Sequence, residues 1–130
     1  MNLTPCPCGR TTPKGQALSL ADCCGPLHDG LAASDAERLM RSRYSAFVLG
    51  NVPYLLATWR SSHRPVELTL EAGARWLGLD IKQHRVTGAD TAEVEFVARF
   101  RVGGKAVRQH ESSRFVREEG RWFYVDGDVL

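Results

Sequence analysis

The run Thr91-Ala92-Glu93-Val94-Glu95-Phe96-Val97-Ala98-Arg99-Phe100-Arg101-Val102 decides how this chain folds. Val94, Phe96, Ala98, Phe100 and Val102 fall on one side of an extended backbone, and Glu93, Glu95, Arg99 and Arg101 on the other. Period two over such a length marks a strand with one buried face and one wet face. Gly103-Gly104 follows directly, and adjacent glycines supply the positive φ angles of a tight hairpin turn. The chain should therefore return as Lys105 to Arg117, turn again at Glu118-Glu119-Gly120, and end in a strand over Arg121 to Asp126. Upstream, Asp80 to Val86 alternates more weakly and reads as one further strand. Four strands, the last three joined by tight turns, make an antiparallel meander.

The residues before the meander carry helical spacing. Ser34 reads as an N-cap with Glu37 three residues on, a capping box. Ala36, Leu39, Met40, Tyr44, Phe47 and Val48 then recur at helical intervals until Gly50-Asn51 stops the helix. A second, short helix carries Val52, Leu55, Leu56 and Trp59 on one face, with Pro53 in its first turn. Arg60 to Pro65 is polar and reads as a loop, and Glu67 to Leu77 is expected to form a third helix through Leu70, Ala74 and Leu77. Helices first and a meander after predict an α+β fold with helices on one face of an antiparallel sheet.

A chain of 130 residues holds one core. With 43% hydrophobic and 25% charged residues it is neither disordered nor fibrous. Its 17 basic and 15 acidic residues leave a net charge of +2, without the concentrated basic face of a nucleic-acid binder. No apolar run approaches the ~20 residues of a membrane span. Met1-Asn2-Leu3-Thr4-Pro5 has neither the basic nor the apolar region of a secretion signal, so a cytoplasmic location is expected, with no membrane and no nucleic-acid partner.

All four cysteines, Cys6, Cys8, Cys23 and Cys24, lie in the first 24 residues. Clustering of this kind says that they act together. Residues 1–30 have no hydrophobic period and need a staple to fold, whereas residues 31–130 read as a domain with its own core. Three readings compete for the thiols. Disulfides are disfavoured in the cytoplasm, and neither Cys6–Cys8 nor Cys23–Cys24 can bridge without strain, although cross-pairs such as Cys6–Cys23 stay open. Redox chemistry lacks its usual Cys-x-x-Cys spacing. Zinc fits best: four thiolates complete a tetrahedron and leave no open position, which makes a structural site. Gly9 and Gly25 beside the ligands permit the necessary turns. His28 is an alternative ligand or else a solvated loop histidine.

Cys6-Pro7-Cys8-Gly9, a loop and Cys23-Cys24 resemble the SEC-C motif, a zinc-binding knuckle. The run Leu39-Met40-Arg41-Ser42-Arg43-Tyr44-Ser45-Ala46-Phe47 is similar to the YchJ-like (UPF0225) family. So are Tyr54-Leu55, Thr58-Trp59, Trp76-Leu77-Gly78-Leu79, Phe96-Val97-Ala98-Arg99-Phe100, Ser113-Arg114-Phe115 and Trp122-Phe123-Tyr124-Val125-Asp126-Gly127. That resemblance implies a SEC-C-like zinc knuckle joined to an NTF2-like domain, a cone of helices against a curved sheet. It also implies protein partners reached through the knuckle. Two departures stand out. Residues 9 to 22 make a longer loop than the motif usually has, and Arg10 replaces its usual Ser. The longer loop costs little, because closure entropy grows only with the logarithm of length.

The strands offer one further constellation. An inward face gathering Arg99, Glu111, Tyr124 and Asp126 would form a polar pocket with an acid, a base and an anion-holding Arg. The competing reading is a solvated face laced with cross-strand ion pairs. Arg38, Arg41 and Arg43 on the first helix read as solvated, one of them paired to Glu37 or Asp35, or as contacts for phosphate, nucleic acid or an acidic partner, and Trp59, Trp76, Phe96 and Phe100 as core. The sequence is thus expected to encode a small zinc-binding adaptor, not an enzyme. The alternative is a small-molecule binder or enzyme that uses the cone.

Overall fold

Four strands, β1 (Arg75–Val86), β2 (Thr91–Val102), β3 (Lys105–Glu118) and β4 (Arg121–Val129), pair antiparallel in sequence order in a computed structural model. The structure describes residues 4–70 and 72–130. Met1, Asn2 and Leu3, part of the stretch read for a secretion signal, and Glu71, inside the expected third helix, lie outside the described residues. The β2–β3 register is unbroken from Val102↔Lys105 to Thr91↔Val116. It places Ala92, Val94, Phe96 and Ala98 beside Phe115, Ser113, Glu111 and Gln109 on one face. That face is the one the alternation in β2 predicts to be buried, and Ala92, Val94, Phe96 and Ala98 are buried.

Helix α2 (Ala36–Leu49) packs across this face, followed by α3 (Val52–Ala57). Gly50, at φ 72°, ends α2, and the Asn51 side chain then caps α3 by accepting from the Tyr54 N–H. The N-cap of α2 is Asp35, one residue later than the expected Ser34; its carboxylate accepts from the Arg38 N–H at 2.8 Å.

The third helix expected over residues 67–77 does not form. Gly73 adopts φ 80°, and β1 begins at Arg75. Trp76 pairs with Phe100 and stacks on it at 4.9 Å, while Leu77 occupies an irregularity in the ladder and is half exposed. Pairing along β2 overrides a weak helical pattern there.

Residues 4–33 fold back on themselves. Bridges at Pro5↔Ser19 and Thr11↔Ala17 make a small ribbon, closed by Cys6 N–H to Leu18 O at 2.8 Å and Thr12 N–H to Gln16 O at 2.8 Å. A 3₁₀ turn (Leu20–Asp22) and the one-turn helix α1 (Gly25–His28) follow. The long loop between the cysteine pairs is thus an ordered ribbon that returns the chain to its start.

Candidate functional site

The ribbon delivers Cys6 and Cys8 from one side, and the end of the 3₁₀ turn delivers Cys23 and Cys24 from the other. Gly9, at φ 74°, makes the turn after the first pair. All four side chains are buried, none is in a disulfide, and their sulfurs lie within 4.8 Å of one another. Cys8 Sγ is 3.7 Å from Cys23 Sγ, and Cys23 Sγ is 3.9 Å from Cys24 Sγ. Four sulfurs at metal–sulfur bonds of about 2.3 Å stand about 3.8 Å apart in a tetrahedron. The donor set therefore fits a single metal ion.

The electrostatics point the same way. Burial, then the charge of Cys8 and Cys6, pushes the Cys23 thiol up to about 11. Hydrogen bonds to Cys6 and Cys8, with burial, raise Cys24 as well, while bonds from Cys24 and Cys8 hold Cys6 far below an ordinary thiol. Four buried thiolates repel one another, and only a cation between them allows all four to lose their protons.

Helix α2 supports this cluster from one stripe of its surface. Arg38 Nη2 donates to Cys23 O at 3.2 Å, and Arg41 Nη1 to Cys8 O at 3.1 Å. Ser45 Oγ lies 3.4 Å from Cys6 Sγ. Positions 38, 41 and 45 share a helix face, and that spacing is the sequence signal for this role. None of these residues is a solvated arginine or serine; Arg41 is also paired with Glu37 at 3.1 Å. His28 stands apart from the sulfurs: Nε2 donates to Ser42 O at 2.8 Å, and the ring packs on Tyr54 at 4.6 Å.

The sheet divides the other four candidates. Glu111 and Tyr124 line a cavity of about 250 Å³ between α2 and the sheet. Arg99 lies on the opposite face, paired with Asp80. Asp126 is there as well, at 2.5 Å from Arg114, which also holds Asp128 at 2.7 Å. In a regular strand Tyr124 and Asp126 share a face. Here Phe115 pairs with Tyr124 but Arg114 with Asp126, so Val125 is an extra residue that turns Asp126 outward. The freed Val125 carbonyl accepts from Trp59 Nε1 at 3.2 Å. The outward face carries the ion pairs, including Arg85 with Glu93, and there His110 Nε2 lies 2.7 Å from Glu95 Oε2.

Sequence reasoning missed Arg43. It is 3% exposed and lines the cavity, with Trp59, Trp76 and Phe96 forming aromatic walls. Its Nη1 donates to Leu55 O at 2.8 Å and Thr58 Oγ1 at 2.6 Å. Its guanidinium carbon lies 4.6 Å from the Tyr124 ring centre and 5.4 Å from that of Trp59. Burial lowers it to about 10, so it stays cationic at neutral pH.

The model of the YchJ middle, NTF2-like domain matches residues 35–127. A UPF0225 protein of Polaromonas naphthalenivorans is 61% identical, over 96% of this chain and 97% of its own length. One from Xanthomonas campestris is 58% identical, over 94% and 92%. Among solved structures, a SEC-C motif containing protein from Psychrobacter arcticus superposes with a TM-score of 0.81 at 30% identity, covering 99% of this chain and 84% of that one. A SEC-C motif containing protein from Rhodopseudomonas palustris gives 0.72 at 32%, covering 98% and 99%. No helix among the described residues is long and apolar enough to cross a membrane. A cysteine knuckle clamped to an NTF2-like helix and sheet, with this kinship over nearly its whole length, places the chain in the YchJ-like UPF0225 family.

Proposed function

We propose that this chain is a binding module whose N-terminal knuckle is held by one structural zinc ion, with Cys6, Cys8, Cys23 and Cys24 as ligands. The observation that carries the reading is the convergence of four buried sulfurs within 4.8 Å of one another. An all-sulfur tetrahedral set favours Zn²⁺ over the hard cations that prefer oxygen. With all four positions taken by protein, such a site has no place for a substrate or an activated water, which supports a binding role over a catalytic one. The two arginines from α2 lie beside a site that would carry net negative charge. The knuckle keeps Pro13, Lys14, Gly15, Gln16 and Ala17 exposed at the ribbon tip, a surface available to a protein partner.

Elemental analysis of untagged protein purified with reductant tests the metal. One zinc per chain is expected, and a Cys8→Ser, Cys23→Ser double variant should bind none. Purification of folded chain with all four thiols free, and no uptake of added zinc, would overturn it. For the binding role, partner capture should fall in the double variant while the β2–β3 ladder remains folded. Capture lost only when the whole chain unfolds would count against the knuckle.

A further inference from the structure

The cavity between α2 and the sheet contains a guanidinium that no carboxylate touches, although Glu111 lines the same cavity. Arg43 is buried, yet no carboxylate pairs with it among the described residues. Among the described residues its hydrogen bonds leave from Nη1, and Nε and Nη2 have no acceptor. Tyr124 and Trp59 attract the charge through their ring faces, but a ring face does not accept the remaining N–H donors as an oxygen would. Neither atom is sealed from solvent as Arg38 Nε is, so both donors are open to an anion that enters the cavity. The cavity it lines has room for one: about 250 Å³, close to the lower end of small-molecule sites.

The remaining walls narrow the chemistry. Trp59, Trp76 and Tyr124 offer aromatic surfaces to a flat ring. Glu111, held by the Gln109 amide, also lines the cavity. Its carboxylate disfavours a second negative charge and accepts a hydrogen bond from a neutral donor. We propose that this cavity binds a small single-ring aromatic monocarboxylate, with the carboxylate on Arg43 and a hydroxyl or similar donor directed to Glu111. The inference stands on the cavity alone and is independent of what the cysteines hold.

The test is calorimetric titration of the full wild-type chain with 4-hydroxybenzoate, its neutral isostere 4-hydroxybenzamide, and benzoate. A paired carboxylate makes two charge-assisted hydrogen bonds that the amide cannot reproduce. The acid should therefore saturate the chain and bind about ten- to hundredfold more tightly than the amide. Benzoate should bind more weakly than 4-hydroxybenzoate, and the difference should vanish in Glu111→Leu, which has no acceptor for the hydroxyl. Arg43→Gln should abolish the preference for acid over amide. Because Arg43 also holds Leu55 and Thr58, that variant can lose stability, and the acid-to-amide comparison in the wild-type chain is decisive without it. Equal affinity for acid and amide, or no saturation by any of the three up to about 10 mM, would overturn the proposal.

Discussion

At Gly25 the constraint is space rather than φ. A Cβ built there would lie 2.8 Å from the Leu20 carbonyl oxygen, a backbone atom that cannot swing aside. The 3₁₀ turn and α1 meet at this contact, and Cys23 and Cys24 lie between them. Gly25→Ala must push the two apart and misplace two of the four sulfurs. We expect about 1–3 kcal/mol of lost stability from the overpacking, together with weaker metal binding in a chelator competition. Gly15 is the control. It sits at the ribbon tip at φ 80° with nothing within 4 Å of a built Cβ. Gly15→Ala should cost about 1–2 kcal/mol of backbone strain and leave the metal competition unchanged. If both variants lower metal affinity equally, the Gly25 contact has no special role. The sequence shows Gly9 and Gly25 alike beside the cysteines; only the packed structure separates Gly25, which is crowded, from Gly9, which is turned at φ 74° with open space around a built Cβ.

Helix α2 is an element whose start differs by one residue from its sequence signature. Ser34 and Glu37 form a capping pattern, but the Asp35 carboxylate takes the Arg38 N–H, and Glu37 is drawn to Arg41 instead. Asp35→Ala should therefore cost about 1 kcal/mol, read as a melting-point fall of about 3–5 °C, whereas Ser34→Ala should be near neutral. The reverse order in urea denaturation would restore Ser34 as the cap. The same helix shows where sequence reading stops. Period two reveals β2 and β3 because one face of each is largely wet, although Val97 on the outward face of β2 is fully buried. Helix α2 is enclosed by the knuckle, α3 and the sheet at once, so Ser42, Arg43 and Ser45 are buried despite their polarity. The apolar stripe from Ala36 to Val48 reveals the helix, but periodicity does not show that its polar flank is covered as well. The bulge at Val125 is likewise invisible in the letters Tyr124-Val125-Asp126, yet it moves Asp126 out of the pocket that strict alternation would place it in. The segment at 67–77 fails for a third reason: its helical spacing is weak, and the edge of β2 offers Trp76 a better partner in Phe100.

In the whole molecule the cysteine knuckle and the helix-and-sheet body share one core. Cys6, Cys8, Cys23 and Cys24 belong to the same buried cluster as Leu39, Met40, Tyr44, Val94, Phe96 and Phe115. The sulfurs are therefore part of what α2 packs against, and a metal among them would stabilise more than the first thirty residues. Metal removal should expose this coupling. Once the cation is gone, four crowded sulfurs must take up protons or separate, and Arg38 and Arg41 lose the fixed carbonyls of Cys23 and Cys8 that they hold. The ladder between β2 and β3 has its own unbroken register of paired residues to hold it through that event. Hydrogen exchange with and without a strong chelator should show protection lost across residues 4–33, reduced along α2, and retained in β2 and β3. Two outcomes would contradict the shared core. Loss confined to residues 4–33 would make the knuckle a separable appendage, and equal loss in every strand would make the metal a condition for the whole fold. Gradation along α2, strongest near Arg38, Arg41 and Ser45, is the pattern that a helix clamped to the knuckle on one side and to the sheet on the other must give.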